Sequence, residues 1–375
     1  LLLTIALSVC MVFSIILIST GTQEEFKNTQ RNKAQIGILG VTDEQTALLR
    51  QNKDISWIGE YSAIGFFYVD DKFNIIDKPN QRSSHTNITL RGGGIIFLLG
   101  LWIHALFFGF QYPCFLVGLT AIAGISFVDD IHPVPNKIRL LVHFTAMFLM
   151  FQEYGILNMD SWWMVLIGLI LCVGIVNAYN FMDGINGITG GYSLAVLLSL
   201  FYVNRSLHFI DNSFLIIIIL SVLVFCLFNF RKKAKCFAGD IGSVGIAFIL
   251  LFIIGRLIIQ TGDFTYIVFL VVYGVDSVLT IVHRLMLHEN IGLPHRKHLY
   301  QIMANELKIG HVKVASLYMV MQFVISLGFI YFCPNTIFAH WLYLIGTLAV
   351  VAVAYILFMK KYYHLHEDYL TSLKK

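Results

Sequence analysis

The sequence predicts an all-α, polytopic membrane protein with about eleven transmembrane helices, the N-terminus outside and the C-terminus cytoplasmic. Of its 375 residues, 57% are hydrophobic and only 13% are charged, whereas soluble domains carry roughly 25% charged residues. Apolar stretches close to roughly 20 residues, the length at which a helix crosses a bilayer, recur along the chain. Basic residues gather in alternate loops, as cytoplasmic loops require.

The apolar stretches define the predicted helices and three regions of the chain. The stretches are 1–19, 93–110, 114–128, 140–151, 162–178, 189–203, 214–230, 243–259, 264–282, 314–333 and 339–359, of which 140–151 is the weakest. The first is a transmembrane helix of its own. Residues 20–76 form a polar insertion or cytoplasmic loop, in which 55–69 is a short interfacial or re-entrant segment. Residues 77–375 form the main membrane domain.

The orientation follows from Lys and Arg, which short loops retain on the cytoplasmic side. With residue 1 outside, all of the 26 basic residues except Arg205 and Arg256 lie on the cytoplasmic side. The cytoplasmic parts are then 20–92, 129–139, 229–242, 283–313 and the tail after 359. Membrane topology therefore explains the net charge of +4, and nucleic-acid binding is not expected.

Polar side chains recur every third residue where the 162–178 span ends. They are Asn177, Asn180, Asp183 and Asn186. This spacing predicts one helical face over two to three turns, and amides with one carboxylate suit a sugar or the edge of a base. The alternative is an elaborate helix cap, because Asn, Asp and Gly favour helix ends.

Two further groups place carboxylates at predicted span boundaries. Asp129 and Asp130 end one span, shortly before Lys137 and Arg139. The pair could bind a divalent metal, activate a nucleophile or form salt bridges with these two cations. Asp240, near the start of a later span, is a candidate Mg²⁺ ligand or a simple helix cap.

Two cationic groups suit phosphates. The first includes Arg82, His85 and Arg91, and glycines 92–94 follow it. Flexible backbone amides and cations can bind phosphate, although a positive anchor followed by glycines for close helix packing is equally compatible. The second runs from His295 to His298 and suits a pyrophosphate, with zinc binding by its two histidines as the alternative.

Asp276 lies inside the ninth predicted span, where an acidic residue is a functional hypothesis by default. His283 and Arg284, two turns later, are its expected partners.

These motifs together resemble those of the polyprenyl-phosphate N-acetylhexosamine-1-phosphate transferases, and the likeness runs from about Asp77 to the last span. In such enzymes a lipid phosphate attacks the β-phosphorus of a UDP-aminosugar, giving a lipid-diphosphate sugar and UMP. The resemblance implies a Mg²⁺ cofactor, or Mn²⁺ in its place, and a multi-pass enzyme of the bacterial inner membrane with a cytoplasmic active site. It also allows a homodimer.

The resemblance implies a role for each motif. Asp240 and Asp183 would bind the metal, and Asp129, Asp130 and Asp183 would be catalytic, with Asp129 as the base for the lipid phosphate or, in a two-step reaction, as a covalent nucleophile. The substrate-binding residues would be Arg82, His85, Arg91, Lys137, Asn177, Asn180, Asn186, Phe237, His295, Arg296 and His298. Among them, Phe237 would stack on uracil, and Asn180 with Asp183 would line the nucleoside pocket. Asn186 and Ala238 depart from a more usual aspartate and methionine.

The substrate expected from this branch is UDP-GlcNAc or a close relative, which would initiate a cell-envelope glycan of the O-antigen, teichoic-acid or capsule type. The alternative within the family is phospho-MurNAc-pentapeptide transfer. Enzymes of that kind carry three successive histidines, where this chain has His295-Arg-Lys-His298. The alternative of another class is an ion-coupled transporter, because acidic residues near spans also mark ion pathways. The Asp-Gly repeat of CDP-alcohol phosphotransferases is absent.

Overall fold

The computed structural model describes residues 76–77, 89–157, 162–291 and 295–372. The predicted first span, most of the insertion at 20–76, Arg82 and His85 lie outside these residues. Two short strands, β1 (Ile76–Asp77) and β2 (Thr89–Leu90), pair antiparallel, with Ile76 opposite Leu90. Everything after them is helical or connects helices.

Ten of the predicted spans coincide with helical segments. These are α1 (Ile95–Phe108), α2 (Pro113–Ile131), α3 (Asn136–Tyr154), α4 (Trp162–Met182), α5 (Ile188–Leu207), α6 (Asn212–Asn229), α7 (Gly239–Thr261), a 3₁₀ turn (Phe264–Leu270) that continues into α8 (Val271–Met286), and, after a short turn α9 (Leu299–Gln301) and a π turn (Ile302–Glu306), α10 (His311–Phe332) and α11 (Ile337–Ser372). The mostly helical fold is therefore confirmed.

Seven helical segments of the described chain are long and apolar enough to cross a membrane. They are α2, α4, α6, α7, the segment Phe264–Met286, α10 and α11. The helix α1 is apolar but has only 14 residues. The helices α3 and α5 contain more polar residues, and neither is among the seven. The protein is thus a multi-pass membrane protein, while the total of eleven spans and the orientation stay predictions.

The core of the bundle is α7, the most deeply buried of the candidate spans. It packs against α2 and α4, and also contacts α1 and α5. The least buried spans are α4 and α11, whose many exposed apolar side chains suit a lipid environment. A helix surrounded by other helices can carry an apolar surface on every side, which explains the long apolar run from Val244 to Ile254.

The glycines before α1 serve helix packing. A Cβ atom on Gly94 would lie 2.0 Å from the Cα of Gly242 in α7, so any larger residue would force the two backbones apart. The amides of Gly93 and Gly94 donate to the carbonyls of Phe237 and Ala238, over 2.9 and 3.1 Å. Because these two amides are already bonded, they are not available to a phosphate, and these two glycines serve close helix packing, while phosphate binding by the rest of the motif stays a prediction.

We expect Gly94→Ala to destabilise the protein by about 3 kcal/mol or more. The added methyl group would meet a backbone atom, which cannot move aside as a flexible side chain could. Gly124→Ala is the matched control, since Gly124 lies within α2 and an added Cβ meets no atom within 4 Å. The control should gain up to about 1 kcal/mol in helix propensity. Thermal unfolding in detergent compares them, and equal stability of the two variants would contradict the close contact.

Candidate active site

Four aspartates from three segments meet at one end of the bundle. Asp129 and Asp130 lie in the last turn of α2, Asp183 follows the end of α4, and Asp240 lies in the first turn of α7. These positions are far apart in the sequence. The packing of α7 against α2 and α4 brings them together.

Asp130 caps the start of α7 from a neighbouring helix. Its two carboxylate oxygens accept the backbone N–H groups of Asp240 and Ile241, over 3.2 and 3.3 Å. Such groups have no partner within their own helix, and a carboxylate there also favours the helix dipole. Gly239 has φ +70°, and a Cβ on it would lie 2.6 Å from Asp130 Oδ2, so glycine is required. Asp130, rather than Asp240, therefore caps α7.

Arg139, in the first turn of α3, joins two of the four carboxylates. Its guanidinium lies 2.6 Å from Asp129 Oδ2 and 3.1 Å from Asp240 Oδ2. The other oxygen of Asp129 accepts the backbone N–H of Val134 over 2.7 Å. The predicted salt bridge to Arg139 is therefore present, and it extends to Asp240. Lys137 is exposed on the same turn.

Arg91 adds a second positive charge to this end of the bundle. It directly precedes the glycines before α1 and acts electrostatically on Asp130 and Asp240. Two arginines thus face four carboxylates within the described part of the chain.

The three-residue repeat does not form one helical face, and this prediction is wrong. The helix α4 ends at Met182, and residues 183–187 form a turn that α5 follows. Gly187 adopts φ +85° there, a left-handed conformation that glycine reaches at low cost. The turn separates Asn186 from the helical residues Asn177 and Asn180.

Asp183 is the carboxylate of this turn. It accepts a hydrogen bond from Thr189 Oγ1 over 2.6 Å. Burial raises the pKa of Asp183 to about 6, although the hydrogen bond from Thr189 lowers it and the negative charge of Asp240 raises it. Asp183 and Asp240 therefore repel each other, which a bound cation would relieve.

The asparagines of the repeat have different contacts. Asn180 accepts a hydrogen bond from Ser243 Oγ over 2.6 Å and interacts with Asp240, so it lies at the carboxylate cluster. Asn177 donates to the carbonyl of Val173 within its own helix. Asn186 is buried and donates to the carbonyls of residues 231 and 232, and thereby braces the loop before α7.

Phe237 belongs to the same loop and is half-buried. Its backbone N–H donates to the carbonyl of Leu90 over 2.8 Å, and its carbonyl accepts from Gly93. The loop that carries Phe237 is therefore fixed to β2 and to the start of α1.

The loop from His295 to Tyr300 is anchored by Asp276. Its carboxylate accepts the backbone N–H groups of Leu299 and Tyr300 and the hydroxyl of Tyr318. The expectation that His283 and Arg284 are the partners of Asp276 is wrong. Because α8 ends at Met286, Arg284 turns to the following loop, where it contacts Glu289 and two carbonyls.

His295 and Arg296 have contrasting electrostatic surroundings in this loop. Burial, with the neighbouring His298 and Arg284, lowers the pKa of His295 to about 3, so its ring is neutral. It lies beside Phe181, at the end of α4. Arg296 lies over the ring of Tyr369 and within 3.8 Å of Glu306. The sequence suggests a run of cations from His295 to His298, whereas burial in the fold keeps the ring of His295 neutral.

Three residues of this region carry no motif that the sequence pattern singles out. Asn229, at the end of α6, accepts the N–H of Gly187 and donates to the carbonyl of Cys236. Thr189, in the first turn of α5, donates to Asp183, and Ser243, one turn after the start of α7, donates to Asn180. The same signal, a polar residue at the end of an apolar run, could have identified Asn229.

The fit of a Mg²⁺ ion can be judged from the donor set. Within the described ranges, no three His, Cys, Asp or Glu residues converge closely enough to hold a metal alone. Mg²⁺ requires only one or two carboxylates, with water and substrate phosphates completing its shell. Asp183 and Asp240, which come from different segments and repel each other, match that requirement.

We expect Arg139→Gln to destabilise the protein by about 1–3 kcal/mol, because two partly buried carboxylates lose their shared cation. Arg205→Gln is the matched control, as Arg205 is exposed at the far end of α5. Arg139→Lys should recover part of the lost stability, since lysine restores the positive charge but cannot contact both carboxylates as the planar guanidinium does. Unfolding midpoints in detergent report the difference, and an Arg139→Gln variant as stable as the control would contradict it.

Comparison with known proteins places this geometry in a family. The sequence model described as glycosyl transferase family 4 matches residues 112–258, which include all four aspartates. A probable undecaprenyl-phosphate N-acetylglucosaminyl 1-phosphate transferase of Bacillus subtilis is 26% identical over 252 residues, covering 61% of this chain and 69% of that protein.

Two further relatives have closely similar descriptions. The undecaprenyl-phosphate alpha-N-acetylglucosaminyl 1-phosphate transferase of Thermotoga maritima is 30% identical over 250 residues, 64% of this chain and 76% of that protein. The Escherichia coli protein of the same description is 26% identical over 230 residues, 55% of this chain and 62% of that protein. The chain belongs to glycosyl transferase family 4.

Proposed function

We propose that the protein transfers N-acetylglucosamine 1-phosphate from UDP-GlcNAc to a polyprenyl phosphate such as undecaprenyl phosphate, and releases UMP. The observation that carries this proposal is the convergence of Asp129, Asp130, Asp183 and Asp240 beside two arginines at the end of an apolar bundle. Such a site can receive one substrate from water and the other from the membrane. The relatives named above transfer the same group to undecaprenyl phosphate.

The reaction needs positioning and charge neutralisation more than covalent chemistry. An oxygen of the lipid phosphate would attack the β-phosphorus of the sugar nucleotide. The bond from that phosphorus to the oxygen bridging the α-phosphorus would break, and UMP would leave with the electron pair. Preorganised charges around the reacting phosphates are usually the largest contribution of such a site.

Asp240 and Asp183 are the proposed ligands of a Mg²⁺ ion, or of Mn²⁺ in its place. When bound, the ion would neutralise the charge of the phosphates. Asp130 would position Asp240, because it holds the first turn of α7. Asp129 remains the candidate base for the lipid phosphate, and Arg139 orients its carboxylate next to Asp240.

The nucleotide and the lipid phosphate would occupy different sides of the cluster. Asn180 and Phe237 would contact the nucleoside, and Phe237 would do so from the loop before α7. Asn177 and Asn186 would be further contacts. The loop His295–His298 would face the diphosphate or sugar. Arg91, Lys137, Arg82 and His85 would attract the lipid phosphate, as cations at a membrane boundary can.

The site would lie on the cytoplasmic side of a bacterial inner membrane, because the segments that carry it hold nearly all of the basic residues. With the predicted first helix, the eleven spans would place the termini on opposite sides. The product would be the first lipid-linked intermediate of a cell-envelope glycan. Phospho-MurNAc-pentapeptide transfer is the competing reaction.

An assay of the purified protein tests the proposal directly. Incubation with UDP-GlcNAc, undecaprenyl phosphate and Mg²⁺ should yield UMP and a lipid-linked sugar, and removal of divalent metal with EDTA should stop both. UDP-GalNAc and UDP-MurNAc-pentapeptide, offered in parallel, identify the donor. A preference for UDP-MurNAc-pentapeptide would show that the proposed donor is wrong. Absence of UMP with every UDP-aminosugar would refute the proposal that the protein is a sugar-phosphate transferase.

We expect Asp240→Asn to lower turnover by at least about 100-fold, as loss of a fixed charge at a reacting group does, while the protein stays folded. Asp211→Asn is the matched control, because Asp211 caps the start of α6 by accepting the N–H of Ser213 and asparagine preserves a cap. Initial rates of UMP release, with thermal unfolding of each variant, provide the comparison. Full activity of Asp240→Asn would remove its metal role.

A further inference from the structure

Asp276 is buried within the Phe264–Met286 span, where an acidic side chain is expensive unless it is bonded on all sides. Its five hydrogen-bond partners meet this requirement. They are Tyr318 Oη at 2.6 Å, the N–H groups of Leu299 at 3.1 Å and Tyr300 at 3.4 Å, Thr280 Oγ1 at 3.2 Å and His298 Nδ1 at 3.3 Å. The carboxylate thus connects α8 and α10 to the turn α9.

This arrangement determines which nitrogen of His298 is available. An ionised carboxylate only accepts hydrogen bonds, so Nδ1 must carry the proton that faces Asp276. The other nitrogen, Nε2, is then the atom left for a ligand, as in sites where a carboxylate sets the tautomer of a histidine.

Nε2 of His298 is buried and has no hydrogen-bond partner among the described residues. The ring as a whole is only 1% exposed. A buried nitrogen without a partner costs free energy, so a histidine that served packing alone would be better replaced by an apolar residue. The unpaired atom indicates that a polar group binds there.

The turn α9, which follows His298, lies against the turn that carries Asp183. The hydroxyl of Tyr300 donates to the carbonyl of Phe181 over 2.9 Å, and a Cβ on Gly184 would lie 2.2 Å from that hydroxyl. Tyr300 therefore packs directly on the turn that carries Asp183. His298 stacks beside Tyr300, with ring centroids 5.6 Å apart.

We propose that Asp276 is a positioning residue of the transferase site, which acts by holding His298 so that Nε2 binds a phosphate oxygen of the sugar nucleotide. The inference rests on the proposed function and assigns a role to a residue that touches no substrate. The carboxylate on one side and the diphosphate on the other would each accept one N–H of the ring. Both ring nitrogens would then donate.

The test measures KM and kcat of the full-length protein for the single variants Asp276→Asn and His298→Ala and for the double variant. Each single variant should raise the KM for UDP-GlcNAc by about 10-fold or more, as loss of a histidine's orienting partner commonly does. The KM for undecaprenyl phosphate should change little. The double variant should be no worse than His298→Ala, because Asp276 acts through His298.

A buried Asp–His pair at the far end of the same span supplies the control. Asp263 binds Nδ1 of His340 and is distant from the carboxylate cluster in the chain. Asp263→Asn should lower thermal stability like Asp276→Asn while leaving the KM for UDP-GlcNAc unchanged. A similar rise of KM in both variants would show that Asp276 acts only through general stability.

A second variant tests the same inference if Asp276→Asn does not fold. Tyr318→Phe removes one donor from the far oxygen of Asp276 and should raise the same KM by about 3-fold, an effect that disappears in the His298→Ala background. Additive losses in either double variant would overturn the inference while the wild type still releases UMP. An inactive wild type would instead refute the proposed function.

Discussion

The hydrogen bonds from the first turn of α7 to Asp130 are the interaction on which the carboxylate cluster depends. A helix that starts at a membrane boundary needs acceptors for its first N–H groups, and α7 finds them on α2. The contact of Gly94 with Gly242 brings α1 against the same turn. Because α7 is the most buried span, its position constrains both the bundle and Asp240.

Charge balance is the second constraint. Four carboxylates at the end of an apolar bundle stay ionised only where cations or donors compensate them. Arg139 contacts two of them and Arg91 acts on two, whereas Asp183 has the hydroxyl of Thr189. The cluster therefore retains an excess of negative charge close to Asp183 and Asp240, where a divalent cation would stabilise the protein as well as bind phosphate.

The sequence was informative where structure depends on local pattern. Apolar length located ten helical segments, and polar residues at their ends located Asp129, Asp130, Asp183 and Asp240. It failed for the three-residue repeat, because a periodic pattern does not show that the helix ends at Met182 before the repeat does. Gly184 and Gly187 were the available signal, since glycine often follows a helix end.

Long-range partners could not be predicted from local pattern. Proximity in the sequence favours His283 and Arg284 as partners of Asp276, yet its partners include His298, 22 positions away, and Tyr318 on another helix. The role of Gly94 likewise depends on Gly242 in α7. Such contacts depend on how helices pack, which the periodicity of one helix does not specify.

The loop from His295 to His298 is held from two sides, and this has a consequence for the last helix. Asp276 binds it from within the bundle, while Glu306 contacts Arg296 and His366.

The 36 residues of α11 extend roughly 54 Å at 1.5 Å per residue, well beyond the hydrocarbon core of about 30 Å. The turns that carry His366 and Tyr369 lie at its C-terminal end, where Tyr369 contacts Arg296 of this loop and His366 contacts Glu306, the partner of Arg296. The last helix thus does more than cross the membrane, because its extension helps to fix a loop of the candidate site.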